Sequence, residues 1–201
     1  AVKAYTEPGD GVLIQSPVYY PFSEVIEDNG RRIVSNTLVL GEDHKYHIDF
    51  EDFERQIKEN QIKLFFLCNP HNPVGRVWTT EELTRLGDIC LKYRVTVVSD
   101  EIHSDFIFRG KHQVFADLKK EYADITVTCT APSKTFNLAG LLLSNIFISN
   151  RELRHKFRQQ VNAAGISQLS PFGLVACETA YTQGEEWYQA MLAYVAENIA
   201  F

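Results

Sequence analysis

The stretch IKLFFLCNPHNP, residues 62–73, decides the fold of this 201-residue chain. Its first seven residues are a largely apolar run, which is typical of a strand whose two faces are both covered by helices. Polar residues and two prolines follow directly, so the chain leaves the strand in an extended, polar segment. A buried parallel strand that ends in a polar loop predicts an α/β sheet with a ligand site beyond the strand end.

Similar apolar runs alternate with segments of helical period along the rest of the chain. Together with 62–68, the predicted strands are 11–16, 32–38, 95–99, 125–129 and 142–149. The predicted helices are 20–29, 49–59, 80–93, 151–163, 171–182 and 185–199. We expect Asp49 and Thr80 to cap the second and third of these helices. This alternation predicts a three-layer α/β/α fold with a mostly parallel, doubly wound sheet.

Composition argues against several functional classes. The net charge of −6 provides no basic excess for nucleic acid or an anionic membrane surface. No apolar run approaches the roughly 18 residues that a membrane-spanning helix needs. The four cysteines lack both a CxxC pair and metal-ligand spacing, so we expect no metal site and reduced thiols in a cytoplasmic protein.

Polar or aromatic side chains follow four of the predicted strands, namely Tyr19 and Tyr20, Asn72, Asp100, and Lys134. Because the carboxyl ends of parallel strands meet at one edge of a sheet, we expect one shared site there. An unpaired buried carboxylate is costly, so Asp100 needs a partner at the end of its strand. A protonated ring nitrogen of a ligand and a structural arginine would each meet that need.

Each of these residues, taken alone, also has an ordinary structural interpretation. Lys134 would then be a solvated surface group, and Asn72 a turn residue bonded to its own backbone. Tyr19 would be a ring packed on the core with its hydroxyl at the surface. Their occurrence together, at successive strand ends, favours a functional site.

Three segments carry a resemblance to a known family: CNPHNPVGRVW (68–78), SDEIHSDF (99–106) and APSKTFNLAGL (131–141). At these spacings they resemble the fold-type I enzymes of the class I/II aminotransferase superfamily, which use pyridoxal phosphate (PLP). More narrowly, they resemble the cystathionine β-lyase (MalY/PatB) group of C–S lyases. The resemblance runs through essentially the whole chain. It implies that residues 1–201 are a large PLP-binding domain, and we expect an N-terminal segment and a C-terminal small domain to lie outside them.

The resemblance implies a role for each residue at the strand ends. Lys134 would hold PLP and move the α-proton of the substrate, and Asp100 would keep the pyridine nitrogen protonated. Asn72 would donate a hydrogen bond to the 3′ oxygen of the ring. Tyr19 would stack on the ring, and Tyr20 would lie near the substrate.

Further residues are implied around the ring and its phosphate. His103 stands where many aminotransferases have a tyrosine that contacts the 3′ oxygen, and it would either replace that tyrosine or support the site from behind. Ser133 and Thr130 would bind the phosphate, helped by backbone N–H groups at a helix start. Two positions depart from the pattern of related aminotransferases, since Ala131 replaces a serine and Leu142 replaces an arginine, which weakens the expected phosphate site.

The implied function is a C–S β-lyase that acts on cystathionine, cysteine or S-substituted cysteines. Removal of the α-proton and loss of the β-thiolate would yield thiol, pyruvate and ammonia. The resemblance also implies a homodimer with a small amino acid as substrate. A PLP-dependent aminotransferase is the first alternative, and an inactive fragment or a non-enzymatic regulatory protein is the second. A nucleotide-binding Rossmann domain is disfavoured because no GxGxxG follows any predicted strand.

Overall fold

The computed structural model describes residues 1–201 and contains a six-stranded sheet of order β2-β1-β5-β6-β7-β8. Its strands are β1 (Gly11–Ile14), β2 (Arg32–Ser35), β5 (Leu64–Cys68), β6 (Thr96–Asp100), β7 (Thr126–Thr130) and β8 (Asn145–Phe147). The first five are parallel, and β8 runs antiparallel to β7 at the edge. A separate antiparallel pair consists of β3 (Val39–Leu40) and β4 (Tyr46–His47). The mostly parallel sheet confirms the predicted fold class.

Nine helices surround the sheet, and the six long ones agree with the prediction to within two residues at either end. They are α1 (Val2–Tyr5), α2 (Pro21–Glu27), α3 (Phe50–Glu59), α4 (Thr80–Tyr93), α5 (Lys120–Ala123), α6 (Pro132–Thr135), α7 (Arg151–Ala163), α8 (Pro171–Gln183) and α9 (Glu185–Ala200). Single 3₁₀ turns lie at Phe115–Asp117 and Ala139–Leu141. The prediction did not include the β3–β4 pair or the one-turn helices α5 and α6.

The cap of α4 corrects one prediction. Asp49 caps α3 as expected, since its side chain accepts a hydrogen bond from Asp52 N. The cap of α4, however, is Thr79 rather than Thr80. Thr79 Oγ1 accepts from Glu82 N at 3.1 Å, and Glu82 Oε2 accepts from Thr79 N at 2.8 Å. This reciprocal pair requires a glutamate three residues after the cap, and only Thr79 has one at that spacing.

Both faces of the sheet are covered by helices, which explains the apolar character of β5. Phe65 and Leu67 belong to a core cluster with residues of α3 and α4. Leu64 and Phe66, which point the opposite way, belong to a second cluster with residues of α1 and α2, and α7 packs against it. Successive residues of a strand alternate between faces, so a strand covered on both sides has no polar face. The three-layer α/β/α architecture is therefore confirmed.

The last predicted strand, 142–149, is shorter than expected. Only Asn145–Phe147 forms β8, because the preceding residues end a 3₁₀ turn with Leu142 at φ 52° in the left-handed region. Leu142 is 89% exposed, so the position where related enzymes were expected to have arginine points into solvent. An apolar run without strict alternation cannot distinguish a turn from a strand.

The helices α8 and α9, like α7 before them, are largely exposed. Gly173 is the one buried residue in the two helices together. Large apolar side chains lie on their surface: Phe172, Leu174, Val175, Tyr181, Trp187, Tyr194 and Ile199. None of the nine helices is both long enough and apolar enough to cross a membrane.

Candidate functional site

The carboxyl ends of β5, β6 and β7 lie side by side at one edge of the sheet. Asp100 pairs with Cys68 on one side and with Cys129 on the other. Past the strand ends, Asn69 N donates to the Asp100 carbonyl at 2.9 Å and Glu101 N donates to the Cys129 carbonyl at 2.8 Å. These bonds hold the three loops that follow the strands in a fixed register.

Asp100 is the last residue of β6, and its carboxylate has few partners within the chain. Its Oδ1 accepts from Ile102 N at 3.1 Å, and no lysine, arginine or histidine forms an ion pair with it. Burial raises the pKa of Asp100, and the positive charge of Lys134 offsets part of that rise. The structural arginine considered from the sequence is therefore not there, and the carboxylate can accept a donor from a ligand.

Asn72 and His103 line one cavity of about 210 Å³, with Pro70, His71 and Phe106 among its other walls. The backbone of Asn72 is held from both sides, since its N–H donates to Cys68 Sγ at 3.3 Å and its carbonyl accepts from Tyr19 N at 3.0 Å. Its side-chain amide forms no hydrogen bond within the chain, which leaves both amide hydrogens available to a ligand.

His103 and Lys134 lie close enough to influence each other electrostatically. Burial lowers the pKa of His103, and the charge of Lys134 lowers that pKa further. Lys134 is exposed on α6 and forms no ion pair. Lys134 also lowers the pKa of Asp100, so its amine lies within electrostatic reach of both side chains.

Tyr19 lies on the surface beside this region and not in the core. The hydrogen bond from Tyr19 N to the Asn72 carbonyl joins the loop after β1 to the loop after β5. Its ring is 40% exposed and stands edge-on to Phe22, at 6.0 Å and 82° between the ring planes. A ring held by its edge can present a face to a flat ligand. Tyr20 is 69% exposed, and its ring lies 5.7 Å from that of Tyr19.

The residues predicted for the phosphate are less closely assembled. Thr130 ends β7 and lines a second cavity of about 420 Å³, with Glu101, Asp105 and Tyr181 in its wall. Ser133 forms no side-chain hydrogen bond, and α6 begins at Pro132, whose nitrogen has no hydrogen to donate. The structure thus groups Lys134, Asp100, His103, Asn72 and Tyr19, with Thr130, Ser133 and Tyr20 at the periphery.

Glu101 is a buried residue of this edge that sequence reasoning did not single out. It is 2% exposed, and its Oε1 accepts from Ser99 Oγ at 2.8 Å and from Phe115 N at 3.1 Å. Its Oε2 lies 2.8 Å from His112 Nε2. Strand alternation was the available signal, because it predicts that the neighbouring acids Asp100 and Glu101 point to opposite sides of the sheet.

His71 was also missed, and it connects two of the strand-end loops. Its Nε2 lies 3.0 Å from the Pro17 carbonyl, which can only accept, so Nε2 carries the hydrogen. Burial lowers the pKa of His71 to about 4, which keeps the ring neutral near neutral pH. The loop that carries Tyr19 is therefore tied to the loop that carries Asn72 by this side chain as well as by the backbone.

The comparisons with known proteins agree with this geometry. The sequence model of the family "Aminotransferase class I and II" matches residues 1–201. The chain is 50% identical to cystathionine beta-lyase PatB of Bacillus subtilis (strain 168), over 99% of this chain and 51% of that protein.

Two solved structures are also similar. Cystalysin from Treponema denticola, which contains pyridoxal 5′-phosphate, has a TM-score of 0.91 at 41% identity and covers 94% of this chain and 48% of its own. The PLP-bound C–S lyase from Staphylococcus hominis has a TM-score of 0.88 at 37% identity, over 96% of this chain and 49% of its own. The chain thus spans about half the length of these relatives.

Proposed function

The chain belongs to the aminotransferase class I and II family, and we propose that it forms the cofactor-binding part of a PLP-dependent C–S β-lyase. The substrates would be cystathionine, cysteine or S-substituted cysteines, with thiol, pyruvate and ammonia as products. Support comes from relatives named as cystathionine β-lyases and C–S lyases across nearly the whole chain. The observation that carries the proposal is the half-buried carboxylate of Asp100 at the end of β6, which forms no ion pair within the chain and lies within electrostatic reach of Lys134.

The residues present fit PLP, whose ring combines a basic nitrogen, a phenolic oxygen and an aldehyde. Asp100 can accept a hydrogen bond from the protonated ring nitrogen, and its burial makes such a cationic partner favourable. The free amide of Asn72 can donate to the phenolic oxygen, and the neutral ring of His103 lines the same cavity. Tyr19 can cover one face of the ring, and Lys134 supplies the amine.

The chain's own residues contribute binding and proton transfer. When bound, PLP supplies the electron sink that stabilises negative charge at the substrate α-carbon. Lys134 Nζ would first hold the cofactor and then act as the base that takes the α-proton, as its exposure without an ion-pair partner permits. Asp100 would keep its charge fixed at the end of β6 throughout, because Ile102 N holds one of its oxygens.

An assay without added keto acid tests the lyase activity in the full-length protein. We expect pyruvate from cystathionine at a rate that depends on PLP and is lost in Lys134→Ala. The aminotransferase alternative has weaker support, namely the breadth of the family. Amino transfer to a keto acid without pyruvate release would overturn the lyase proposal in favour of that alternative.

An absorbance titration separates cofactor binding from turnover. We expect a visible band when PLP is added to the protein and no such band in Lys134→Ala. A flat spectrum for the unsubstituted protein would favour a non-enzymatic role. The proposal also includes a homodimer in the cytoplasm, in which residues 1–201 are part of the large domain. Light scattering on the full-length protein tests whether it is a dimer.

A further inference from the structure

The helix α6, which carries Lys134, is a single turn with little of its own to hold it. It has no side-chain cap at its N-terminus. Two backbone bonds follow its course, from Phe136 N to the Pro132 carbonyl at 2.9 Å and from Leu138 N to the Ser133 carbonyl at 3.1 Å. Because an isolated helical turn is unstable in water, tertiary contacts must hold this one in place.

Thr135 provides a contact of that kind. Its side chain is buried, with the residue 1% exposed, although the neighbouring Lys134 is exposed. Thr135 Oγ1 donates to Asp105 Oδ2 at 2.6 Å, and this is the only side-chain hydrogen bond made by residues 132–135. A hydroxyl bonded to a carboxylate at this distance is a strong, charge-assisted contact.

Asp105 lies on the loop that follows β6, the same loop that carries His103. Its carboxylate holds Thr135, and its carbonyl accepts from Tyr188 OH of α9 at 2.8 Å. The ring of Phe136, directly after α6, lies 6.3 Å from that of Tyr188. Asp105 therefore connects three elements: the loop after β6, the lysine turn and α9.

We propose that Asp105 is a positioning residue for Lys134 and acts through Thr135. Successive residues of a helix point about 100° apart, so fixing the side chain of Thr135 inward sets the direction of Lys134. Asp105 lies five positions after Asp100, which ends β6, so it places the amine relative to that carboxylate. The inference rests on the proposed function, because it assigns Lys134 as the residue that holds the cofactor.

Amide hydrogen exchange tests the positioning without any cofactor. In Thr135→Val, which removes the hydroxyl and keeps the shape, we expect exchange over residues 133–138 to be about tenfold faster, as the loss of a bond to a charged group predicts. Thr135→Ser keeps the hydroxyl and should restore slow exchange. Thr126→Val is a matched control, since Thr126 is equally buried and its Oγ1 donates to the Tyr122 carbonyl at 2.6 Å. Thr126 is the first residue of β7, at the opposite end of the strand from the candidate site.

Reductive labelling then measures the direction of Lys134. PLP condenses with a lysine amine to release water, and hydride from cyanoborohydride fixes the new C–N bond, so mass spectrometry gives the share of label at each lysine. We expect Lys134 to be preferred in the unsubstituted chain and in Thr126→Val. That preference should fall roughly tenfold in Thr135→Val and Asp105→Ala, because small misplacements of a reacting group are costly, and it should return in Thr135→Ser.

The outcomes separate the two proposals. If the unsubstituted chain shows no preference for Lys134, the proposed function is overturned. If that preference is present and Thr135→Val leaves both labelling and exchange unchanged, the positioning proposal alone is overturned. Failure of Thr135→Ser to restore either measurement would also overturn it, because the hydroxyl would then not be the group that acts.

Discussion

The end of β6 and the lysine turn form two halves of the candidate site, and they are built in opposite ways. At the end of β6, Glu101 is buried and its carboxylate has three partners, while Asp100 is bonded through its backbone and one carboxylate oxygen. The lysine turn is one helical turn with an exposed Lys134 and a single side-chain hydrogen bond. A charge that stabilises a ligand works best when it is fixed, whereas an amine that both holds a cofactor and moves a proton must be able to swing.

The largest effect expected from this contrast is the loss of activity in Lys134→Ala. Turnover should fall on the order of 10³-fold or more, because the general base is removed. The free energy of unfolding should stay within about 0.5 kcal/mol, since an exposed side chain without partners contributes little. Pyruvate assays and urea denaturation measure the two quantities. Lys156→Ala, on the exposed surface of α7, should leave turnover unchanged, and a comparable loss of activity there would contradict the assignment.

Substitution of Glu101 should show the reverse pattern. Glu101→Ala removes one partner of a buried pair and leaves His112 and Phe115 N without their acceptor, so we expect a loss of about 3 kcal/mol in unfolding free energy. Urea denaturation of the apoprotein measures it. Glu152→Ala, which breaks an exposed ion pair with Lys156, should cost far less, because solvent screens such a pair. Equal urea midpoints for the two variants would contradict the interpretation that the contacts of Glu101 hold the end of β6 rigidly.

The loop after β5, beside the end of β6, should also be sensitive to acid through His71. Burial lowers the pKa of His71 from 6.5 to about 4. Between these two pH values the unfolded chain is protonated at His71, whereas the folded chain is not. Its contribution to stability is therefore complete above pH 6.5 and is lost as the pH falls toward 4. Two to three pKa units correspond to about 3 kcal/mol.

His71→Gln keeps a donor for the Pro17 carbonyl and removes the titration, so its stability should depend less on pH across that window. Unfolding free energies measured at several pH values provide the comparison. His155→Gln, on the exposed face of α7, should keep the pH dependence of the unsubstituted chain. If His71→Gln were to lose stability in acid as steeply as the unsubstituted chain, a different group would be responsible.

The smallest expected effect concerns the stability of the apoprotein in Asp100→Asn. Burial raises the pKa of Asp100 above its ordinary value of 3.8. Above that pH, ionisation of this carboxyl group is therefore more favourable in the unfolded chain than in the folded chain. Stability is thereby lost as the pH rises, and asparagine should recover it near neutral pH and change little in acid. Urea midpoints at the two pH values measure this. A variant that is less stable at neutral pH would show that Asp100 has a structural partner.

Several features could be predicted from the sequence because they depend on local patterns. The apolar run of β5, the cap at Asp49 and the boundaries of α7 each follow from residues that lie close together in the chain. The grouping of Asn72, Asp100 and Lys134 near one edge also followed, since parallel strands place their carboxyl ends together. The cap of α4 was misplaced by one residue because two threonines stand side by side and only their spacing to Glu82 distinguishes them.

Other features depend on pairs that are distant in the chain. The bond between Asp105 and Thr135 joins residues 30 positions apart, and that between His71 and Pro17 joins residues 54 apart. No hydrophobic period or sequence motif predicts such a contact, because it forms only when folding brings the two loops together. The same holds for the arrangement of α8 and α9, whose large apolar residues lie on the surface.

The sequence by itself determined which residues end the strands and which chemical groups they carry, because hydrophobic periodicity and strand-end polarity are local properties. Only the tertiary structure decided how those groups are held. It showed that Asp100 has no arginine partner, that Glu101 points inward to His112, and that Thr135, beside Lys134, bonds to Asp105. The physical reason is that hydrogen bonds and desolvation depend on which distant segments come into contact. Those contacts form only when the helices pack on both faces of the sheet.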